Sequence, residues 1–134
     1  MERKIMCNIL TPERVLFEGE MNLAVVQIYD GEIGFLSDHT PLVAILGTGE
    51  VRLRDRQTTE YFFVDGGLVE IRDNKMVVLA ERARKKDELS KDEIQNRIQG
   101  INNEIDNLEA FSAKRFTLRL EEQNLKAQLK VALR

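Results

Sequence analysis

The chain has 134 residues, of which 43% are hydrophobic, a length that suffices for one compact domain with an appendage. Its 20 basic and 23 acidic side chains give a net charge of −3, which argues against nucleic-acid binding. No run of about 18 apolar residues is present, which excludes a membrane-spanning helix, and the N-terminus does not have the pattern of a secretory signal. We therefore expect an intracellular protein, whose single cysteine, Cys7, is a small buried apolar group without a disulfide.

The first part of the chain, residues 1–84, has the pattern of an antiparallel β-sandwich. Short segments rich in Val, Ile, Phe and Tyr are separated by glycine and Asn/Asp turn signals, with no helical period between them. The predicted strands are 4–10, 15–17, 23–28, 33–36, 42–46, 51–54, 60–64, 68–72 and 76–80. The predicted turns between them are 30–31, 47–49, 65–67 and 73–75. In 51–54 the alternation places the valine and leucine inside and both arginines in water.

Little in this part indicates catalysis or metal binding. His39 is the only histidine, so a multi-histidine metal site is excluded. Ser37 and Asp38 precede it directly, but neighbours on a strand point to opposite faces, which disfavours a triad. We expect His39 to be a turn or contact residue, and the glycine-rich segment 30–34 to be a pair of tight turns rather than a phosphate cradle.

The second part, residues 85–134, has the pattern of a two-helix antiparallel hairpin. Ser90 and Glu93 form a potential capping box at its start. Isoleucines and leucines then recur at steps of three and four residues, which defines one apolar stripe per helix. The first stripe is Ile94, Ile98, Ile101, Ile105 and Leu108; the second is Leu118, Leu125, Leu129 and Ala132, assisted by Phe116, Leu120 and Leu133. The predicted turn is 107–113, with Gly100 as the alternative.

Charge distinguishes the last 22 residues from the rest of the chain. Residues 113–134 hold six basic and two acidic side chains, a balance of +4 on an acidic protein. Such a segment suits an acidic partner surface, but it is also what a solvated helix face contains. The hairpin could either stay packed on the sandwich or detach and lay its stripe on another protein, because helices of this length depend on packing.

Several motifs, in order along the chain, resemble one family. The segment 30–43, DGEIGFLSDHTPLV, resembles the Gly-Glu-Leu-Gly-Ile-Leu-Pro-x-His-x-Pro-Leu signature of the epsilon subunit of F-type ATP synthases. Leu10-Thr11-Pro12 is similar to the end of that family's first strand. The stretches 66–71 and 77–80 are similar to its Gly-Gly-x-x-Glu-Val and Val-Leu-Ala segments.

The resemblance implies a sandwich of about ten strands and a non-catalytic role without cofactor or metal. In the family the sandwich binds the gamma subunit and the polar loops of the c-ring, as part of the central stalk that couples ion flow to ATP synthesis. By this resemblance Glu32 faces the c-ring, and Thr11 and His39 lie by gamma. The complex would be peripheral to the cytoplasmic face of a bacterial plasma membrane.

The resemblance also implies regulation by the hairpin. In the family, an extended hairpin brings basic residues near acidic loops of the beta subunits in the alpha/beta head and blocks ATP hydrolysis. The corresponding basic residues here are Lys114, Arg115, Arg119, Lys126 and Lys130. Some members bind ATP through Ile/Leu-Asp-x-x-Arg-Ala; here Ser90 replaces the aspartate and Glu93 the arginine, so we expect no ATP binding by the isolated chain.

Two other interpretations of the sequence stay open. A free adaptor could use the helical stripes to recruit an unrelated partner, and a small hydrolase could use His39 and Asp38. The order of the turn motifs disfavours the adaptor. The lack of a second histidine or an obvious nucleophile disfavours the hydrolase.

Overall fold

The computed structural model describes residues 3–134 as a β-rich body followed by two helices. The strands are β1 Ile5–Leu10, β2 Val15–Met21, β3 Leu23–Ile28, β4 Gly31–Phe35, β5 Leu42–Asp55, β6 Thr58–Arg72 and β7 Lys75–Lys85. A short 3-10 turn at Lys86–Glu88 leads to helices α1 Lys91–Asp106 and α2 Ala113–Ala132. No helix in these described residues is long and apolar enough to cross a membrane.

The strands form one seven-stranded sheet in the order β2-β1-β7-β6-β5-β3-β4, which folds over into a sandwich. Phe17 on β2 and Phe62 on β6 meet across the fold, with ring centroids 5.8 Å apart, although their strands are not neighbours. Neighbouring strands are antiparallel except β1 and β7, which pair in parallel. The prediction of an antiparallel sandwich is therefore confirmed with one parallel pair, which forms because β1 and β7 are joined by the rest of the sheet and not by a tight turn.

Two of the predicted turns are wrong, which reduces the strand count from the predicted nine or ten to seven. Residues 47–49 lie inside β5 and residues 65–67 lie inside β6, where the pairing of the two strands is interrupted and then resumes. Gly67 has φ +119°, and a Cβ at this position would collide with the carbonyl oxygen of Leu79. These glycines therefore bend two long strands from one layer to the other and do not reverse them. The turns at 30–31 and 73–75 are confirmed.

The inward-facing side chains form one core, with Phe35, Leu53 and Ile71 among its largest fully buried members. Cys7 belongs to this core and has no exposed surface, as the sequence predicts. Burial raises the pKa of its thiol to about 12, which keeps it protonated and unreactive near neutral pH.

The helical hairpin forms as the sequence predicts. The Ser90 side chain accepts a hydrogen bond from the Glu93 amide at the start of α1, and Ser112 accepts one from Arg115 at the start of α2. Residues 107–112 connect the helices, and Gly100 lies inside α1. Both predicted stripes meet in a second, smaller cluster built around Ile94, Ile101, Ile105 and Leu125. Leu108, predicted to extend the first stripe, lies beyond the end of α1 and outside this cluster, and Phe116, Leu120 and Leu133 are exposed.

Candidate interaction surfaces

Glu32 lies beside the tip of the β3–β4 hairpin, which the two-residue loop of Tyr29 and Asp30 closes. Its carboxylate is partly exposed and accepts a hydrogen bond of 2.8 Å from Nη1 of Arg52. Tyr29 at the tip is 72% exposed. The tip therefore presents an acidic group and an aromatic ring to solvent, on a short hairpin.

Arg52 does not point freely into water, contrary to the prediction from strand alternation. The same Nη1 atom that contacts Glu32 also donates to Oε1 of Glu50, at 3.0 Å. Only 27% of the Arg52 side chain is exposed, and both neighbouring carboxylates contact the same nitrogen of its guanidinium group. Arg52 is therefore shared between two carboxylates.

Glu50 is the most buried carboxylate of the sheet, with 2% of its side chain exposed. Arg134, just beyond the end of α2, grips it with two hydrogen bonds, from Nη2 to Oε1 at 2.6 Å and from Nε to Oε2 at 2.7 Å. The guanidinium of Arg134 also lies over the ring of Tyr61, with 5.2 Å from its central carbon to the ring centroid. Burial alone would raise the pKa of Glu50, but the hydrogen bonds and charges of Arg134 and Arg52 outweigh burial and hold that pKa below its usual value.

Two further polar contacts join the hairpin to the sandwich. Asn124 in the middle of α2 donates to the Asp65 carboxylate at 3.0 Å, and Asp65 also pairs with Arg82. Near the start of the hairpin, Nη2 of Arg14 contacts both oxygens of Glu88 at 2.7 Å, and this pairing lowers the pKa of Glu88. Polar contacts therefore join the hairpin to the sandwich at three places: just before α1, in the middle of α2 and just beyond the end of α2.

Two faces of helix α2 are packed against the rest of the protein, and the sequence pattern reveals only one of them. The apolar stripe faces α1. A second stripe of Asn124, Gln128 and Val131, at steps of four and three residues, faces the sandwich, and Val131 has no exposed surface. On the sandwich side, Phe63 lines the same groove as Asn124 and Gln128 and is buried outside the main core. This second face is mixed in polarity, so hydrophobic periodicity alone does not identify it.

The basic residues assigned to inhibition have unequal roles in the packed hairpin. Arg115 donates from Nη1 to the carbonyl oxygens of Ile105 and Leu108, each at 3.1 Å, and so caps the end of α1. Lys114 pairs with Glu104 at 3.1 Å, on the exposed side of the turn.

Arg119 and Lys126 both contact the buried Glu122 carboxylate, at 3.2 and 3.6 Å. Lys130 is exposed, and no ion pair to it is present among the described residues. Arg115 is therefore a structural residue of the hairpin, whereas Lys130 is immediately available to a partner.

His39 and Thr11 occupy opposite ends of the β1–β7 pair. The loop of His39 lies by the β6–β7 turn, since the Asp38 amide donates to Asn74 at 2.6 Å. The His39 ring packs edge-on against buried Phe35, with centroids 4.9 Å apart, and its Nδ1 contacts the carbonyl oxygen of Thr40. Asp38 is engaged by Arg3 and Asn74 and not by the imidazole, an arrangement that does not form a catalytic dyad.

Thr11 follows β1, and its hydroxyl accepts a hydrogen bond from the Arg14 amide at 3.3 Å. The turn that results orients Arg14 toward Glu88. Thr11 therefore lies where the β1–β2 connection meets the start of the helical hairpin.

An exposed apolar row crosses the sheet at the Thr11 end of the β1–β7 pair. Ile45 on β5 pairs with Leu68 on β6, Leu68 with Leu79 on β7, and Leu79 with Leu10 on β1. Residues paired directly across strands share one face, so the four side chains form a continuous line. Ile45, Leu68 and Leu79 are 45–59% exposed. Isolated exposed leucines need no explanation, but a contiguous row is typical of an interaction surface.

The sequence pattern does not reveal the contacts that hold the hairpin. Arg134 and Glu50 are 84 residues apart, and Arg14 and Glu88 are 74 apart, so neither pair has a local signature. The one available signal is the alternation of side chains along β5. It places Glu50, Arg52 and Arg54 on the side of the strand that faces away from the core, where an acidic residue precedes two basic ones. The apolar row has no periodic signature either, because its members come from four strands.

Comparison with known proteins identifies the family. A family model described as "ATP synthase, Delta/Epsilon chain, beta-sandwich domain" matches residues 4–86. The ATP synthase epsilon chain of Rubrobacter xylanophilus is 32% identical over 106 residues, which are 79% of this chain and 73% of that protein. The ATP synthase epsilon chain of Staphylococcus haemolyticus is 36% identical over 127 residues, which are 92% of this chain and 96% of that protein.

Two solved structures share the fold at low sequence identity. A chain in the cryo-EM structure of Euglena gracilis mitochondrial ATP synthase (OSCP/F1/c-ring) superposes with a TM-score of 0.82 at 14% identity, covering 98% of this chain and 82% of that one. A chain in the Tetrahymena thermophila mitochondrial ATP synthase central stalk/c-ring structure superposes with a TM-score of 0.61 at 12% identity, covering 98% of each chain. These two matches show the shared fold, and the family model and the curated relatives show that the chain belongs to the ATP synthase epsilon chain family.

Proposed function

We propose that this chain is a non-catalytic rotor subunit of a bacterial F-type ATP synthase. Its sandwich would join the gamma subunit to the c-ring, and so couple ion flow to ATP synthesis. Its helical hairpin would restrain ATP hydrolysis when it detaches and extends toward the alpha/beta head. The chain would be peripheral to the cytoplasmic face of the plasma membrane, held there by the complex.

The observation that carries the gamma contact is the exposed apolar row of Leu10, Ile45, Leu68 and Leu79. It lies on paired strands of the sheet and ends at Leu10, directly before Thr11, which the family pattern assigns to gamma. His39, the other residue so assigned, stands at the opposite end of the β1–β7 pair. A continuous apolar line with a polar residue beside it has the anatomy of a protein interface with a polar rim.

Binding to gamma tests this assignment. We expect Ile45→Asp to weaken binding to purified gamma at least about tenfold, because a charge would be buried at the centre of the contact. Ile45→Val is the matched control and should bind within about twofold. Native mass spectrometry and calorimetry would measure the complex. Equal affinities for the Asp and Val variants would contradict the proposed surface.

The c-ring contact is supported by the tip of the β3–β4 hairpin. Glu32 is partly exposed beside the exposed Tyr29, so its free lone pairs can accept hydrogen bonds from polar loops. In the holoenzyme, Glu32→Gln should reduce coupling between ion flow and ATP synthesis, while gamma binding stays unchanged. Glu18→Gln, at an exposed carboxylate of β2, is the control.

The inhibitory role is supported by the way the hairpin is attached. Its contacts with the sandwich include ion pairs and hydrogen bonds at three places, which water can replace when the helices detach. Ending the chain after Lys85, where β7 ends, should leave assembly intact and raise ATP hydrolysis by the holoenzyme. Unchanged hydrolysis would exclude an inhibitory hairpin.

Charge-only variants refine this test without removing the helices. Lys130→Gln should relieve inhibition, because an exposed lysine that has no ion pair within residues 3–134 would contribute directly to binding an acidic partner surface. Lys91→Gln, at an exposed lysine at the start of α1, is the matched control. Inhibition should also weaken as salt concentration rises.

We also propose that the isolated chain does not bind ATP. Ser90 is occupied as the cap of α1, and Glu93 places a negative charge where the family motif has an arginine. Isothermal titration should give no heat of binding at micromolar ATP. Saturable binding at that concentration would contradict this proposal.

A further inference from the structure

We propose that Glu50 is the latch that holds the helical hairpin on the sandwich, and that Arg52 couples this latch negatively to Glu32. A cation that engages Glu32 would loosen the hairpin, and release of the hairpin would free Glu32 for a cation. The inference rests on the proposed function only for the identity of the partner at Glu32.

The latch follows from the burial of Glu50. Its carboxylate is nearly inaccessible in the packed state, where Arg134 supplies two of its three hydrogen bonds and Arg52 supplies the third. A buried carboxylate without sufficient donors is strongly unfavourable, whereas a hydrated one is not. Loss of Arg134 therefore penalises the packed state selectively, since detachment of the hairpin returns Glu50 to water.

The coupling follows from the shared guanidinium of Arg52. One nitrogen, Nη1, serves both Glu32 at 2.8 Å and Glu50 at 3.0 Å. When an external cation neutralises Glu32, Arg52 is free to turn its charge toward Glu50, which then depends less on Arg134. Neutralising Glu32 also removes a negative charge that attracts Arg134 through space. Both effects act in the same direction, toward release.

Coupling between two binding events is reciprocal. If a cation at Glu32 weakens the contact of Arg134 with Glu50, loss of that contact must strengthen binding of a cation at Glu32 by the same factor. In structural terms, Arg52 moves toward an uncompensated Glu50 and leaves Glu32 exposed. Engagement of the tip by the ring and release of the arm toward the head thus favour each other, without any change in the sandwich fold.

Thiol protection in the full-length chain measures the latch. Val131→Cys places a small apolar thiol at a position that is fully buried at the end of α2 in the packed state. Its alkylation rate is proportional to the detached fraction, even when that fraction is small. Cys7 provides the internal reference, because its burial and raised pKa are independent of the hairpin latch. Circular dichroism of each variant verifies that the sandwich stays folded.

The expected rates form a graded series in the Val131→Cys background. Arg134→Gln and Glu50→Gln should each raise the alkylation rate at least about tenfold, and the double variant should add little, since both remove one interaction. Glu32→Gln should raise it about threefold, and Glu32→Lys more. Lys130→Gln on α2 and Glu18→Gln on β2 are matched charge controls and should stay within about twofold.

The coupling is tested by comparing the effect of Glu32→Gln on the alkylation rate with and without Arg134. In the Arg134→Gln background, Glu32→Gln should no longer change the alkylation rate, because the latch through which it acts is gone. A threefold effect that persists there, or no effect of Glu32→Gln in the parent, overturns the coupling. Equal rates for Arg134→Gln and Lys130→Gln overturn the latch itself. The measurement needs neither gamma nor the c-ring, so its failure would leave the proposed rotor function untouched.

Discussion

Replacing Gly67 by alanine should destabilise the sandwich far more than the same substitution at Gly66 destabilises it. Gly67 lies in the bend of β6, with φ +119°, and a Cβ would meet the carbonyl oxygen of Leu79 and the Cα of Ala80. Both obstacles are backbone atoms of β7, so no side-chain rotation relieves them. The strand pair would have to separate at the point where β6 carries the sheet from one layer to the other.

Two contributions determine how much unfolding free energy the Gly67→Ala variant loses. Holding alanine at this backbone conformation costs about 1–3 kcal/mol. Displacing β7 weakens one or two hydrogen bonds of the ladder, at about 1 kcal/mol each. The free energy of unfolding should therefore fall by about 2–5 kcal/mol, a large fraction of the ~5–15 kcal/mol that domains of this size possess. Urea denaturation followed by far-ultraviolet circular dichroism measures this loss as a lower midpoint.

Two matched variants make the test specific. Gly66→Ala should cost only about 1 kcal/mol, because its φ of +77° is closer to the left-handed region and the nearest group is the flexible Glu81 side chain. Gly100→Ala, inside α1 with open space around it, should stabilise the hairpin by about 0.5–1 kcal/mol. A loss below about 1 kcal/mol for Gly67→Ala would refute the steric account of the bend.

Three further predictions concern the hairpin and the core. Because the pKa of Glu50 is lowered in the packed state, its contribution to packing is present above the ordinary carboxyl pKa of about 4.3 and is lost as pH falls below it. The distance between a spin label on α2 and one on the sandwich should therefore lengthen at low pH, and the Glu50→Gln variant should show a smaller change with pH. Arg115→Gln should destabilise α1 by about 1–3 kcal/mol in hydrogen exchange, because two carbonyl oxygens lose their donor, whereas Lys114→Gln should cost less than about 0.5 kcal/mol. Cys7 should resist alkylation at pH 8 until the sandwich unfolds, as mass spectrometry would show.

Local patterning was sufficient to predict the helices. The apolar stripe from Ile94 to Ile105, the serine cap at Ser90 and the turn at 107–112 depend on residues three or four apart, and all are present in the structure. The same is true of the β3–β4 turn, where glycine at position 31 permits a tight connection. In these regions the physical cause acts over the same short distance that a sequence pattern records.

The strand boundaries could not be predicted in the same way. Glycine at 47, 49, 66 and 67 indicates both a turn and a bend inside a strand, since each needs backbone freedom or close approach. Only the pairing of β5 with β6, and of β6 with β7 beyond the glycines, decides that the strands continue. The parallel pairing of β1 with β7 likewise depends on how the whole sheet folds.

The sequence by itself determined the β-sandwich and helical-hairpin architecture, the buried cysteine and the motifs that indicate the family, because local periodicity and short ordered segments carry that information. Tertiary structure alone decided that Glu50, Arg52, Glu32 and Arg134 form one ionic chain, and that Leu10, Ile45, Leu68 and Leu79 form one row. These groups come from strands and a helix far apart in sequence. Charge pairing and side-chain contact act through space, so only the folded chain brings them within reach.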